Sequence, residues 1–294
     1  MSLESFGDIH ALPEDCIANA LSLTSPKDAC RLSAVASTFR SASQSDVVWG
    51  RFLPSDYRDL IAGAVDGPDA LLSKFRSKKD LYLHLCDHPI LIDGGRKKGN
   101  CLMTLAAQND HLEQSFSLEK CSGKKCYMIA ARDIHIVWGD TPEYWQWISL
   151  PESRFPEVAE LLAVCLFEIR GKISTKMLSP GTCYVAYLVF TLKPEADGFY
   201  NNPAEAFVEL AGHESERRSV FIHSDGAHTA NDSKHPTQRG DGWMEVELGE
   251  YFVEGGEDAD LELGVHNVWN MRNGNWKSGF VFQGIEVRPK AVSS

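Results

Sequence analysis

The sequence predicts a multidomain α + β protein: three short helices at the amino end, a helical connector, and a carboxyl-terminal antiparallel β-sandwich. Apolar residues recur at helical spacing up to about residue 92 and at strand spacing from about residue 115. Several of the later runs alternate apolar with polar residues, the pattern of a sheet with one wet face. Turn residues cut those runs into short pieces, as a sandwich requires. The expected boundaries are 1–60, 61–94 and 95–290.

In chain order, Pro13 opens a helix with Ile17, Ala20 and Leu21 on one side. In TSPKDACRLSAVASTF, Ser25 can cap a second helix, Pro26 suits its first position, and Asp28 favours its positive end. Ala29, Leu32, Val35, Ala36 and Phe39 then form a single stripe. Trp49, Phe52 and Leu53 make a third apolar face. So short a stretch cannot bury three stripes against one another. The surplus either packs on the chain's own second half or awaits a partner, and a partner is the expectation. PDALLSKF and SKKDLYLHLCDHP continue the helical writing, with Leu81 and Leu85 one turn apart and Pro89 ending the helix.

CYVAYLVFTL, AFVEL, SVFIHS, GWMEVELGEYF, DLELGVHNV and GFVFQGIEVRP are the strand runs. Met244, Val246 and Leu248 oppose Glu245 and Glu247; Leu261, Leu263 and Val265 oppose Glu262 and His266. Two polar loops, at 194–203 and 225–242, have the length of functional or mobile segments.

Composition excludes several classes. The formal charge is −12, from 29 basic and 41 acidic residues, a field that repels nucleic acid and anionic lipid. The short basic runs GRKKGN (95–100) and GKK (123–125) read as solvated loops. No run approaches the length of a membrane span, and the first residues carry no secretory pattern. Eight cysteines scattered in apolar contexts read as buried thiols of a reducing compartment, so the expected location is cytoplasm and nucleus. In that setting the sequon at Asn231 goes unused.

Catalysis is not expected. Glu245 and Glu247 read as a solvated strand face rather than a carboxylate pair for glycoside hydrolysis. His213, His223, His228, His235 and His266 match no zinc spacing, and no nucleophile elbow, P-loop or dinucleotide fingerprint appears. Neither metal nor cofactor is expected. The stretch IVWGDTPEYWQW (136–147) is different: it holds three of the seven tryptophans beside turn residues. Trp138 ends a strand, Asp140 lies in the turn, and Tyr144, Trp145 and Trp147 follow, with Trp145 and Trp147 on one face. Such rings either fill a core or offer their faces to the C–H side of a pyranose, with neighbouring polar groups fixing the hydroxyls.

Two resemblances sharpen this. The stretch LPEDCIANALSLTSPKDACRLSAVASTFRSASQSDVVWGRF resembles an F-box. The resemblance implies binding to a Skp-type adaptor, and through it to a cullin–RING ubiquitin ligase. It gives Leu12, Pro13, Ile17, Leu21, Leu32, Val35, Phe39 and Trp49 as adaptor-facing or domain-core residues. Cys16 departs from the bulkier aliphatic residue of the motif. KKCYMIAARDIHIVWGDTPEYWQW, FEIRGKI, RGDGWMEVELGEYF and NWKSGFVFQGIEVRPK resemble the phloem protein 2 (Nictaba-type) lectin domain of plants. That implies recognition of N-acetylglucosamine oligomers or N-glycan cores on a glycoprotein target. Two tryptophans seven residues apart serve there, a spacing met by Trp138 and Trp145; Trp276 falls in a motif read as structural. Ser117 and Leu166 stand where close relatives are expected to have tryptophan. They alter the sugar site if they lie at it, and merely repack the domain if they are core.

Overall fold

The computed structural model describes residues 12–65, 67, 71–93, 113–200, 202–213, 215–223, 235–256, 258–267 and 276–291. The GRKKGN run, Cys101, His228, the Asn231 sequon, Trp269 and most of the 225–242 loop lie outside them. Two compact units result: Met1–Ile92 with Phe116–Lys125, and Asp93–Ser115 with Cys126–Ser294.

The first unit is helical. Helices α1 (Glu14–Ser22), α2 (Pro26–Ser33), α3 (Ser37–Ala42), α4 (Asp46–Phe52), α5 (Tyr57–Ala62) and α6 (Lys78–Asp87) are each short. Local chemistry sets their starts: the Asp28 amide donates to the Ser25 hydroxyl oxygen, and the amides of Val47 and Asp80 do the same to Ser45 and Ser77. The single stripe expected from Ala29 to Phe39 is in fact divided between α2 and α3. Ala36 is extended (φ −149, ψ 154), and the Ser33 hydroxyl donates back to the Cys30 carbonyl, a local bond that competes with helix continuation. Four helices therefore stand where three were expected.

The core of this unit forms around Trp49, whose indole N–H donates to the Ser43 carbonyl at 2.6 Å and whose ring lies 5.1 Å from that of Tyr82 on α6. The segment Phe116–Lys125, read from sequence as part of the sandwich, is grouped with these helices. The Tyr82 hydroxyl donates to the carbonyl of Lys120 at 3.1 Å, and the Lys125 ammonium pairs with Asp56 at 2.7 Å. Lys125 is thus a buried ion-pair partner, not the solvated loop residue expected of GKK.

Antiparallel strands build the second unit, and parts of the first three of them fall in the first unit. They are β1 (Ile90–Asp93), β2 (Glu113–Leu118), β3 (Lys125–Ala130), β4 (His135–Ile136), β5 (Trp145–Ile148), β6 (Val158–Leu161), β7 (Phe167–Ser174), β8 (Thr182–Asp197), β9 (Ala204–Leu210), β10 (Arg218–Val220), β11 (Thr237–Gln238), β12 (Met244–Val253), β13 (Asp260–Asn267) and β14 (Ser278–Pro289). The division between the units runs through β1, β2 and β3. One sheet runs β3-β14-β8-β12-β11, with the β5–β6 pair joined to β14; the other runs β10-β9-β13-β7-β4. Alternation decides the inner faces: Leu261, Leu263 and Val265 of β13 are buried, as are Phe167, Ile169 and Ile173 of β7. Phe167, Phe190, Phe199 and Phe280 form a ring cluster with centroids 5.0–5.7 Å apart. This is the two-sheet sandwich the alternation predicts.

Candidate functional site

On the helical unit, the residues singled out by sequence divide into two sets. Ile17, Leu21 and Trp49 are buried and hold the helices together. Leu12, Pro13 and Val35 are exposed, Val35 at 72%, while Leu32 and Phe39 are half-buried. Leu23 and Val47 join the exposed apolar set without having been singled out. Cys16, at the departure from the motif, is also exposed, so the smaller side chain leaves no hole in the core. The Ser41 hydroxyl donates to Glu14 at 2.7 Å and ties α3 to α1.

On the sandwich, strand register gathers several loops at one end. Ile136 pairs with Ile169, and the Val137 amide donates to the Glu168 carbonyl, so Trp138 emerges level with the start of β7. Asn267, the last residue of β13, lies opposite Phe167; Asp197 pairs with Ser278, and Val220 with Ala204. The β4–β5, β6–β7 and β8–β9 connections, the residues after β10 and the approach to β14 therefore share that end. They bring Trp138, Leu162, Tyr200 and Trp276, four of the five exposed large apolar side chains among the described residues of this unit. Phe252 is the fifth and lies on β12. Local sequence could not show this gathering, because topology makes it.

Trp138 is 40% exposed and is the sole non-glycine residue with positive φ (59°) among the described residues. The turn that holds it is tight: the Gly139 amide donates to the Ile136 carbonyl at 2.9 Å, and the Thr141 amide to the Trp138 carbonyl at 2.9 Å. Its ring lies 5.2 Å from that of Tyr144, which is half-buried, and Asp140 is exposed beside them. The Leu162 amide donates to the Tyr144 carbonyl, linking this pair to the next loop. Tyr200 packs on His223 with centroids 3.9 Å apart. Leu166 sits half-buried in the β6–β7 connection at this end, whereas Ser117 is on β2 in the segment grouped with the helices.

Two expected sugar contacts require correction. Trp145 is 2% exposed, paired through β5 with Leu161, and belongs to the core; its face is not open for stacking. Trp147 is covered on one face by the Arg132 guanidinium, 3.7 Å from the ring centroid and itself paired with Glu157 at 2.7 Å. Trp276, read as structural, is instead 51% exposed.

Glu245 is not solvated either. Arg239 bridges it to Glu286, both at 2.7 Å, and Arg288 and Arg154 complete the network. Burial opposes charge on Glu286, but Arg239 and Arg154 outweigh it and hold the carboxyl down at about 2. Burial likewise opposes charge on Arg239, and Glu286 more than compensates, raising its pKa. Every charge here has a partner, so the cluster fastens β12 to β14 rather than offering an acid or base. Asp133 is the carboxylate without full compensation: burial, with Glu113 nearby, pushes it up to about 6 against a hydrogen bond from the Glu113 backbone. Among the described residues no three histidine, cysteine or acidic side chains gather as a metal cluster.

The F-box domain family matches residues 9–51, and the phloem protein 2 family matches residues 124–289. F-box protein At2g02240 of Arabidopsis thaliana is 45% identical over 282 residues, covering 95% of this chain and 79% of that protein. F-box protein PP2-B10 of the same plant is 42% identical, covering 96% and 94%. F-box protein SKIP3, also from Arabidopsis thaliana, is 38% identical, covering 97% and 89%. Solved structures align only distantly: a Podospora anserina GH26-CBM35 mannanase covers 57% of this chain and 28% of its own at 11% identity and TM-score 0.32, too low to bear on fold or ligand. With both matches in chain order and relatives aligned over most of their length, this chain belongs to the family of F-box proteins that carry a phloem protein 2 domain.

Proposed function

We propose that this protein is the substrate-recognition subunit of a Skp–cullin–F-box ubiquitin ligase. The helical unit binds a Skp-type adaptor, and the sandwich selects glycoprotein targets through carbohydrate. It carries out no catalysis itself; ubiquitin transfer takes place on partner enzymes, in the cytoplasm and nucleus. The observation that carries the reading is the exposed set Leu12 and Pro13 before α1, Val35 between α2 and α3, and Val47 on α4, in a helical unit whose own core is already closed around Ile17, Leu21 and Trp49. For the sugar, the support is Trp138 beside Tyr144 and Asp140, held outward at a backbone conformation that costs about 1 kcal/mol. A pyranose would lie on the ring, and Asp140 would accept from its hydroxyls.

A bridging assay tests both halves at once. The full chain should retain purified Skp-type adaptor on an immobilised N-glycan column. Val35→Glu should keep the glycan and lose the adaptor, and Trp138→Ala should do the reverse. If the folded wild type binds adaptor but no glycan, the sandwich is a polypeptide-binding module, the reading that Trp145 in the core favours.

A further inference from the structure

The end of α6 carries two imidazoles one helical turn apart. Pro89 stops the helix, so His88 is its cap residue, with extended backbone (φ −131, ψ 93). The His88 amide still donates to the His84 carbonyl at 2.8 Å, which keeps the two residues neighbours on one face of the last turn. Their rings are nearly parallel (17°), with centroids 4.6 Å apart. Phe75 packs beside His84, 4.8 Å from its ring, while His88 is exposed to solvent.

The surroundings leave the pair free to give its nitrogen lone pairs. Burial, then His88 and Lys74, hold His84 below its ordinary 6.5 against the pull of Asp87, so its ring is neutral at pH 7. Lys120 pairs with the Asp87 carboxylate at 3.0 Å and occupies it. Cys86 offers no thiolate, because burial pushes its thiol up to about 12. The donor set is therefore two imidazoles at the i, i+4 spacing by which helical histidines share one ion. Imidazole suits copper, nickel and zinc; magnesium and calcium require oxygen ligands. Two protein ligands are fewer than the four of a structural zinc site, so such an ion exchanges with solvent.

We infer that His84 and His88 together chelate a divalent transition-metal ion, copper(II) most tightly, with water completing its coordination. The bound ion fastens the last turn of α6 to its cap residue. The site is independent of the adaptor and sugar readings.

The test titrates copper(II), nickel(II), zinc(II) and magnesium chlorides separately into the full-length protein, free of any histidine tag, at pH 7. Calorimetry should show one site that prefers copper over nickel and zinc, ignores magnesium, and weakens at least tenfold in His88→Ala. His213→Ala, which removes an exposed histidine elsewhere, should leave that site as in the wild type. The inference is overturned if the wild type takes up no copper. It is equally overturned if His84→Ala and His88→Ala both bind copper as the wild type does, since the uptake then belongs to other histidines. Equal binding of magnesium would contradict it as well, because the ligands are then carboxylates. Should His88→Ala lose stability, magnetic resonance of the wild type decides: copper should broaden the ring signals of His84 and His88 before those of any other histidine, and broadening elsewhere first sinks the inference.

Discussion

Trp138 adopts a left-handed backbone conformation that a glycine would take without strain. Trp138→Gly should therefore fold at least as stably as wild type in urea denaturation while losing glycan; a clear loss of stability would mean the ring is packing, not platform. Trp145→Ala should behave oppositely and cost about 3–5 kcal/mol, because it empties a buried site. Asp133 gives a pH signature. Its folded pKa, about 6, lies above its ordinary 3.8, so its charge increasingly penalises the folded state as pH rises between those values. Because Asp133 is only half-buried and solvent screens its charge, Asp133→Asn should raise stability by roughly 1 kcal/mol at pH 7, well below the unscreened linkage value, and by almost nothing near pH 4. Glu286 has the opposite sign. Depressed from 4.5 to about 2, it stabilises above the higher value, and that contribution fades as pH falls through the interval. Its size is on the order of 3 kcal/mol, and acid unfolding of Glu286→Gln compared with wild type measures it.

At the scale of elements, the Ser25 cap and Pro26 were legible because a helix start is written within a few residues. The break after Ser33 was not, since a continuous apolar spacing hides a chain that leaves the helix and re-enters it at Ser37. The same limit hid the Phe116–Lys125 segment. Its seat among the helices depends on Gly123 (φ +70), where an added Cβ would stand 2.6 Å from the Phe52 carbonyl oxygen. Gly123→Ala should destabilise the helical unit by about 1–3 kcal/mol, read as earlier loss of Trp49 fluorescence on denaturation. Strand alternation was read correctly for β13, but Glu245 was misplaced on a wet face. Its partners Arg239 and Arg288 are brought to it by pairing that no local pattern records. The aromatic end was half legible: Trp138 and Tyr144 are close in sequence, whereas Tyr200 and Trp276 reach the same end only through the topology.

At the scale of the whole molecule, two compact units each carry exposed apolar side chains that their own cores do not use, which suits the proposed role of joining two partners. The account stands or falls on the helical surface. Titration calorimetry of the full-length protein with a purified Skp-type adaptor tests it most directly. The expected result is one-to-one binding that weakens at least a hundredfold in Val35→Glu, a substitution at a 72% exposed site that leaves the melting temperature in place. Adaptor binding of equal strength in wild type and Val35→Glu, or none in a folded wild type, would contradict it.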